Sequence, residues 1–360
     1  MAVALPERSI GDWPDGPIEP GERRDVSITL SQSYSGLDVR LPAHVWRAPL
    51  PGPAVFITAA VHGDEINGAG IIRRLILDPP FELHRGALLL VPVVNIQGFE
   101  RHSRYLPDRR DLNRCFPGSA NGSPASRLAR VIFEEIVARC QFGIDLHTAA
   151  VRRTNFPNVR ADMRNEELAN LARAFGAELI VNGRGPKGSL RRAATDAGRP
   201  TLILEAGEVW KVEPTIVDYG LRGVRNALIH LGLVEGDPEP PPYQVVVERS
   251  KWVRADAGGF LRFHVRPGDL LERGEPIATN TGLTGREQNI LKAPRDGVVL
   301  GMTTLPAVGP GDAVCHIAYP RKGALKRIVK ALGSLPDDSL HLRVREDLGT
   351  NLIVQEVDEN

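Results

Sequence analysis

Between Ala54 and about Gly232, short apolar runs alternate with stretches whose apolar positions recur every three or four residues. The runs predict buried strands at Ala54–Val61, Ala87–Val94, Phe142–Leu146, Glu178–Asn182 and Thr201–Glu205. The stretches predict helices at Glu65–Leu77, Ser126–Arg139, Asn165–Phe175 and Ile216–Gly232. Strands and helices in alternation give an α/β fold, a mainly parallel mixed sheet with helices on both faces. Upstream, a proline-punctuated arm of about 20 residues leads into strands at Val26–Leu30 and Val39–Trp46, joined by a hairpin-type connection at Ser35, Gly36 and Asp38. Downstream, Gly236-Asp237-Pro238-Glu239-Pro240-Pro241-Pro242 reads as a stiff linker. Short β-like runs separated by glycine follow it at Gln244–Val247, Gly259–His264, Pro276–Thr279, Gly297–Met302 and Ala313–Ala318, the signature of an all-β module.

The chain therefore divides into an N-terminal arm and hairpin (1–53) packed on an α/β unit (54–235), a β-rich domain (243–320) and a tail (321–360). The tail contains one basic helix-like piece at Gly323–Leu332 and ends in Asp-Leu-Gly-Thr-Asn-Leu-Ile-Val-Gln-Glu-Val-Asp-Glu-Asn, to which no role is assigned.

Composition narrows the function classes. At 360 residues with 42% hydrophobic and 25% charged, the chain supports two domains and a sizeable core. A net charge of +1, from 45 basic and 44 acidic residues, gives no electrostatic argument for nucleic acid or an anionic membrane. Three widely spaced cysteines, Cys115, Cys140 and Cys315, form neither a disulfide framework nor a zinc knuckle. The first residues lack the basic and apolar regions of a signal peptide, and no apolar run approaches the ~20 residues of a membrane span, so a cytoplasmic location is expected.

The candidate chemistry lies at strand ends. His62 and Glu65 follow the first apolar run of the α/β unit, three residues apart, where the chain turns at Gly63 into a helix. Imidazole and carboxylate are ligands that catalytic zinc takes. Roughly half a His-x-x-Glu match is expected by chance in such a chain, so the pair alone decides little. A second run, Phe142-Gly143-Ile144-Asp145-Leu146-His147, also ends in histidine, and strand alternation puts Asp145 on the same side as His147, placed to orient a ligand imidazole. A lone strand-end histidine is more often a hydrogen-bonded structural residue than a ligand, and the metal reading rests on the combination. A third run closes on Glu205, an acid suited to proton transfer or to capping the next turn; Glu208, farther along, is the weaker base candidate. Arg104 and the loop Asp111-Leu112-Asn113-Arg114-Cys115-Phe116-Pro117-Gly118 supply donors for a carboxylate or an oxyanion, or a surface salt bridge. Arg152, Arg153 and Arg160, after His147, fit an anion site or a solvated loop.

Taken in order, H-G-D-E, D-L-N-R-x-F-P-G, D-L-H-T and the E-x-G after an apolar strand resemble the succinylglutamate desuccinylase/aspartoacylase family, a branch of the zinc carboxypeptidase-like hydrolases. The resemblance implies one zinc ion per chain held by His62, Glu65 and His147, with Glu205 as general acid/base. It implies that Arg104 polarises the scissile carbonyl and that Asn113 and Arg114 grip a substrate carboxylate. Here the glutamate motif reads Glu205-Ala206-Gly207-Glu208 rather than the E-V-G-P of aspartoacylases, which points to broader deacylases. The β-rich domain resembles a biotinyl/lipoyl-type barrel-sandwich at Ala293-Pro294-Arg295-Asp296-Gly297-Val298-Val299 but lacks a carrier lysine, because Lys292 is too close to the turn.

The expected activity is zinc-dependent hydrolysis of the amide bond of an N-acylated amino acid or related small carboxylate. A metallocarboxypeptidase acting on a peptide or cell-wall stem, and a non-catalytic binding protein of the same fold, are the alternatives. The expected partner is a small molecule, with neither nucleic acid nor membrane; homo-oligomer formation is left open.

Overall fold

The computed structural model describes residues 8–33, 35–321, 323–350 and 352, so the first seven residues and the last eight of the tail lie outside it. Its elements run β1 (Arg23–Gln32), β2 (Asp38–Arg47), β3 (Leu50–Ala59), α1 (Asn67–Leu77), β4 (Arg85–Val91), α2 (Ile96–Phe99), α3 (Pro124–Glu135), β5 (Phe142–His147), β6 (Arg153–Ala161), α4 (Glu166–Phe175), β7 (Leu179–Asn182), α5 (Leu190–Asp196), β8 (Thr201–Glu208) and α6 (Pro214–His230). After the proline-rich linker come β9 (Val245–Val247), β10 (Arg249–Arg254), β11 (Gly259–Phe263), β12 (Leu270–Leu271), β13 (Pro276–Thr281), β14 (Glu287–Lys292), β15 (Gly297–Thr303), β16 (Ala307–Val308), β17 (Ala313–Tyr319), α7 (Ala324–Leu332) and α8 (Leu340–Gly349).

The fold is mixed α/β. A large mixed sheet has the order β1-β2-β4-β3-β5-β8-β6-β15-β17-β10, and a smaller antiparallel sheet has the order β14-β13-β11-β16. The centre of the large sheet, β4-β3-β5-β8, is parallel. Its strands are apolar on both sides because both faces are covered. Val55, Ile57 and Ala59 of β3 join one core with Ile71, Ile72 and Leu75 of α1 and residues of α4 and α6. Ala54 and Phe56 join a second core with Leu128, Ala129, Ile132 and Phe133 of α3. Gly143 of β5 is required there, since a Cβ would lie 2.1 Å from the Phe56 ring.

The expected helices and strands differ from this at several ends. The first helix starts at Asn67 rather than Glu65, leaving Glu65 in the preceding turn. Ala60 takes a positive φ of 50°, which stops β3 before Val61. The elements absent from the hydrophobic pattern include two that line the cleft: β6, which reads as a polar loop because Arg153, Asn155, Asn158 and Arg160 are interspersed with apolar residues, and α5, which is only seven residues long.

Beyond the linker the chain does not start an isolated sheet. β15 pairs antiparallel with β6, matching Gly301 to Asn155 and Thr303 to Arg153, so β15, β17 and β10 extend the large sheet. β9 pairs in parallel with β7. α8 returns to the α/β unit, where buried His341 sits beside Glu178, whose other oxygen accepts from the Tyr219 hydroxyl. Among the described residues no helix is long and apolar enough to cross a membrane.

Candidate metal centre and active site

β3, β5 and β8 are neighbours, and their carboxyl ends deliver the chemistry to one place, as expected of open α/β sheets. His147 is the last residue of β5 and the register partner of Glu205 on β8. His62 and Glu65 lie in the turn after β3. Gly63 makes that turn possible, because a Cβ there would meet the backbone of Gly98 at 2.1 Å and of Phe99 at 2.2 Å.

His62, Glu65 and His147 are buried and form a trio whose potential ligand atoms all lie within 4.8 Å of one another. Nδ1 of His62 is 2.7 Å from Glu65 Oε1, and Nδ1 of His147 is 2.8 Å from Glu65 Oε2. The other ring nitrogens face carboxylates: His147 Nε2 is 2.9 Å from Asp145, and His62 Nε2 is 3.2 Å from Asp111. Asp145 is fixed in turn by the Thr58 hydroxyl at 2.8 Å. Two imidazoles and a carboxylate converging inward, each imidazole braced from outside by an aspartate, is the donor set of an open zinc site. The residues present fit that ion.

Burial alone would raise the Glu65 carboxyl pKa, but the two imidazoles override it and hold the group well below the usual carboxylate range. Burial would lower both histidines; Glu65 and Asp111 instead raise His62, and Asp145 and Glu65 raise His147 well above its ordinary value. The pocket is thus poised to hold positive charge.

Arg104 lies at the same centre, its Nη1 donating to Glu65 Oε1 at 3.0 Å and its Nη2 to Asp111 Oδ2 at 3.1 Å. Asn113 lines the cleft, with Oδ1 accepting from the Leu190 amide at 2.8 Å at the start of α5. Arg114 also lines it but is half exposed and folds back, Nη1 donating to the Asn113 carbonyl at 2.7 Å. Glu205 accepts from Asn155 Nδ2 at 3.1 Å and faces Arg160 at 3.4 Å. Glu208 points elsewhere, to Lys211 at 2.6 Å and the Thr304 hydroxyl at 2.8 Å.

All seven candidate residues from the sequence line one cleft of about 290 Å³. The same cleft contains residues that sequence reasoning missed. Asn155 gave no signal, and Asp111, which does not line the cleft but pairs with His62 and Arg104, was visible only as the first letter of its motif. Arg191 on α5 is 5% exposed, and its Nε and Nη1 find no hydrogen-bond partner among the described residues. Burial and neighbouring Arg160 push its pKa down to about 10, so it stays a cation at neutral pH. A buried arginine with unused donors, opening on a cleft, is a site for an anion. Trp252 and His316, from beyond the linker, complete the cleft wall.

Comparison with known proteins places the chain in a family. Residues 51–231 match the succinylglutamate desuccinylase/aspartoacylase catalytic domain. The N-alpha-acetyl-L-2,4-diaminobutyric acid deacetylase of Halomonas elongata is 28% identical over 335 residues, covering 83% of this chain and 97% of that protein. A crystal structure of a succinylglutamate desuccinylase/aspartoacylase from Rhodobacter sphaeroides superposes with a TM-score of 0.70 at 27% identity, covering 83% of this chain and 96% of that one. The product-bound ectoine utilization protein EutE (DoeB) from Ruegeria pomeroyi shares the fold, with a TM-score of 0.73 at 22% identity over 84% of this chain and 97% of that one. The strand-end residues and the matched half of the chain lead to one assignment: this chain belongs to the succinylglutamate desuccinylase/aspartoacylase family.

Proposed function

We propose that this protein is a zinc-dependent amidohydrolase of the zinc carboxypeptidase-like fold, removing the acyl group from an N-acylated amino acid or related small carboxylate. The observation carrying this reading is the convergence of His62, Glu65 and His147 beside Glu205, the register partner of His147. The three would hold one zinc ion per chain, which when bound supplies Lewis acidity toward a carbonyl and lowers the pKa of a coordinated water.

The chain's own residues do the rest. Glu205 takes a proton from the attacking water and returns it to the leaving nitrogen, so that amide and water give a carboxylate and an amine. Asn155 and Arg160 hold the Glu205 carboxylate in place. Arg104 reaches from the Glu65–Asp111 pair toward the carbonyl oxygen as charge develops on it. Asn113 and Arg114 bind a substrate carboxylate, helped by the unused donors of Arg191. The deacetylase from Halomonas elongata, by its name, acts on an N-acetylated amino acid, which supports the same substrate class.

We read residues 54–235 as the catalytic unit, 1–53 as packed on it and 243–320 as a wall and assembly module rather than a carrier. Three free cysteines suit a cytoplasmic setting.

The test is zinc content together with hydrolysis across N-acetyl, N-succinyl and N-aspartyl amides. Wild type is expected to carry zinc and cleave one class; Glu205→Ala is expected to keep the metal and lose about 10²–10⁴-fold in kcat. A zinc-free wild type, or a Glu205→Ala that hydrolyses as fast, overturns the reading.

A further inference from the structure

The cleft does not end at Glu205. Successive register pairs trace one row across the large sheet: Gly207 on β8, Asn155 on β6, Gly301 on β15, His316 on β17 and Trp252 on β10. Directly paired residues of antiparallel strands project to the same face, so this row continues the face that carries Glu205. Gly301 contributes no side chain. A Cβ there would lie 2.5 Å from Asn155 Oδ1, so only glycine lets Asn155 lie flat across the strand. Beyond it the His316 and Trp252 rings stack with centroids 4.7 Å apart and planes 9° from parallel. At ~4.8 Å per strand, His316 stands about 10 Å and Trp252 about 14 Å from Asn155.

Arg153 closes this far end. It is two residues before Asn155 on β6, and its guanidinium lies 4.6 Å from the Trp252 ring centroid. Among the described residues the Arg153 guanidinium makes neither an ion pair nor a hydrogen bond, unlike that of Arg160, which faces Glu205. His316 adds no charge, since burial, with Arg160 and Arg153 nearby, pushes its pKa down to about 4. The far end is therefore cationic, with a flat aromatic floor and one uncommitted guanidinium.

Resting on the deacylase reading above, we propose that Arg153, held on the Trp252–His316 stack, forms a distal subsite for a carboxylate at the end of the substrate's leaving-amine side chain. The leaving side is the one toward β6, because Glu205, which protonates the leaving nitrogen, is held from that strand by Asn155 and Arg160. The row from Asn155 to Trp252 crosses three strand spacings, so the longer of two ω-acids is the better fit to the far end. An ω-carboxylate suits this end, and an ω-ammonium is repelled by it.

The experiment compares Nα-acetyl-2-aminoadipate and Nα-acetyl-2-aminosuberate with their ω-carboxamides and with Nα-acetyllysine. Wild type is expected to prefer the longer ω-acid to its carboxamide tenfold or more in kcat/KM, and to prefer Nα-acetyllysine least. In Arg153→Gln and Trp252→Ala that preference should fall to within about threefold of unity, through KM rather than kcat, and Arg153→Lys should restore part of it. Wild-type preference for Nα-acetyllysine overturns the subsite, as does an unchanged preference in Arg153→Gln. If wild type cleaves none of the N-acetyl, N-succinyl or N-aspartyl amides, the deacylase reading fails, and if it cleaves only another class than N-acetyl, or none, the subsite is judged by calorimetry of 2-aminosuberate on the protein as purified. Binding at least fivefold weaker to Arg153→Gln upholds it, and equal binding overturns it.

Discussion

His147, a proposed zinc ligand, shows how a side chain is positioned by its neighbours. Its ring is held between Glu65 on one nitrogen and Asp145 on the other, and Asp145 is itself held by Thr58. Asp145→Asn keeps the shape but removes the charge that orients the ring. It should weaken zinc binding about 10–100-fold, measured by competition with a chromophoric chelator. His316 gives a prediction of another kind. Its folded-state pKa of about 4 lies below its unfolded value, so between about pH 6.5 and 4 the unfolded chain binds the extra proton and stability falls as pH falls. The loss, on the order of 1–3 kcal/mol by pH 4, should appear as a drop in denaturant midpoint that His316→Gln does not share. At this scale the sequence was informative where a polar residue closed an apolar run, as at His147 and Glu205. It was silent for Arg191, Asn155 and Trp252, and it offered Arg153 only as an anion site or a solvated loop. Their roles depend on which strand lies beside which, and one arginine among many carries no mark of its burial.

Among the elements, the parallel centre of the sheet was legible because strands buried on both faces must be apolar throughout. β6 was not, since it intersperses charged or amide residues with apolar ones and uses its polar side to line the cleft. The turn after β3 is the most constrained connection. Gly63→Ala would drive a Cβ into the Gly98–Phe99 backbone, displacing His62 and Glu65 together. The expected result is a protein that keeps its helical circular dichroism but loses stoichiometric zinc, checked by metal analysis after gel filtration. The Asn113–Arg114 loop shows a limit of reading motifs. Asn113 holds its place by accepting from the first amide of α5, and Arg114 leans back on it, so the motif organises the cleft wall.

Across the whole molecule, the two parts on either side of the proline-rich linker are joined by more than the linker. β15 is hydrogen-bonded to β6, β9 to β7, and α8 places His341 against Glu178 in the interior of the α/β unit. Thr215 at the start of α6 donates to Asp347 of α8 at 2.7 Å, and Arg345 pairs with Asp269 of the β-rich region. Replacing His341 with alanine leaves Glu178 buried with one partner fewer. It should cost about 1–3 kcal/mol, read as a lower thermal midpoint without loss of zinc.

The shared β6–β15 ladder has a practical consequence. Because the joins between the two parts are backbone hydrogen bonds and packed side chains, the covalent connection at residues 236–242 is dispensable for their association. A gene split at Pro240 should yield two polypeptides that co-purify and reconstitute the cleft, since each supplies one edge of a sheet that the other completes.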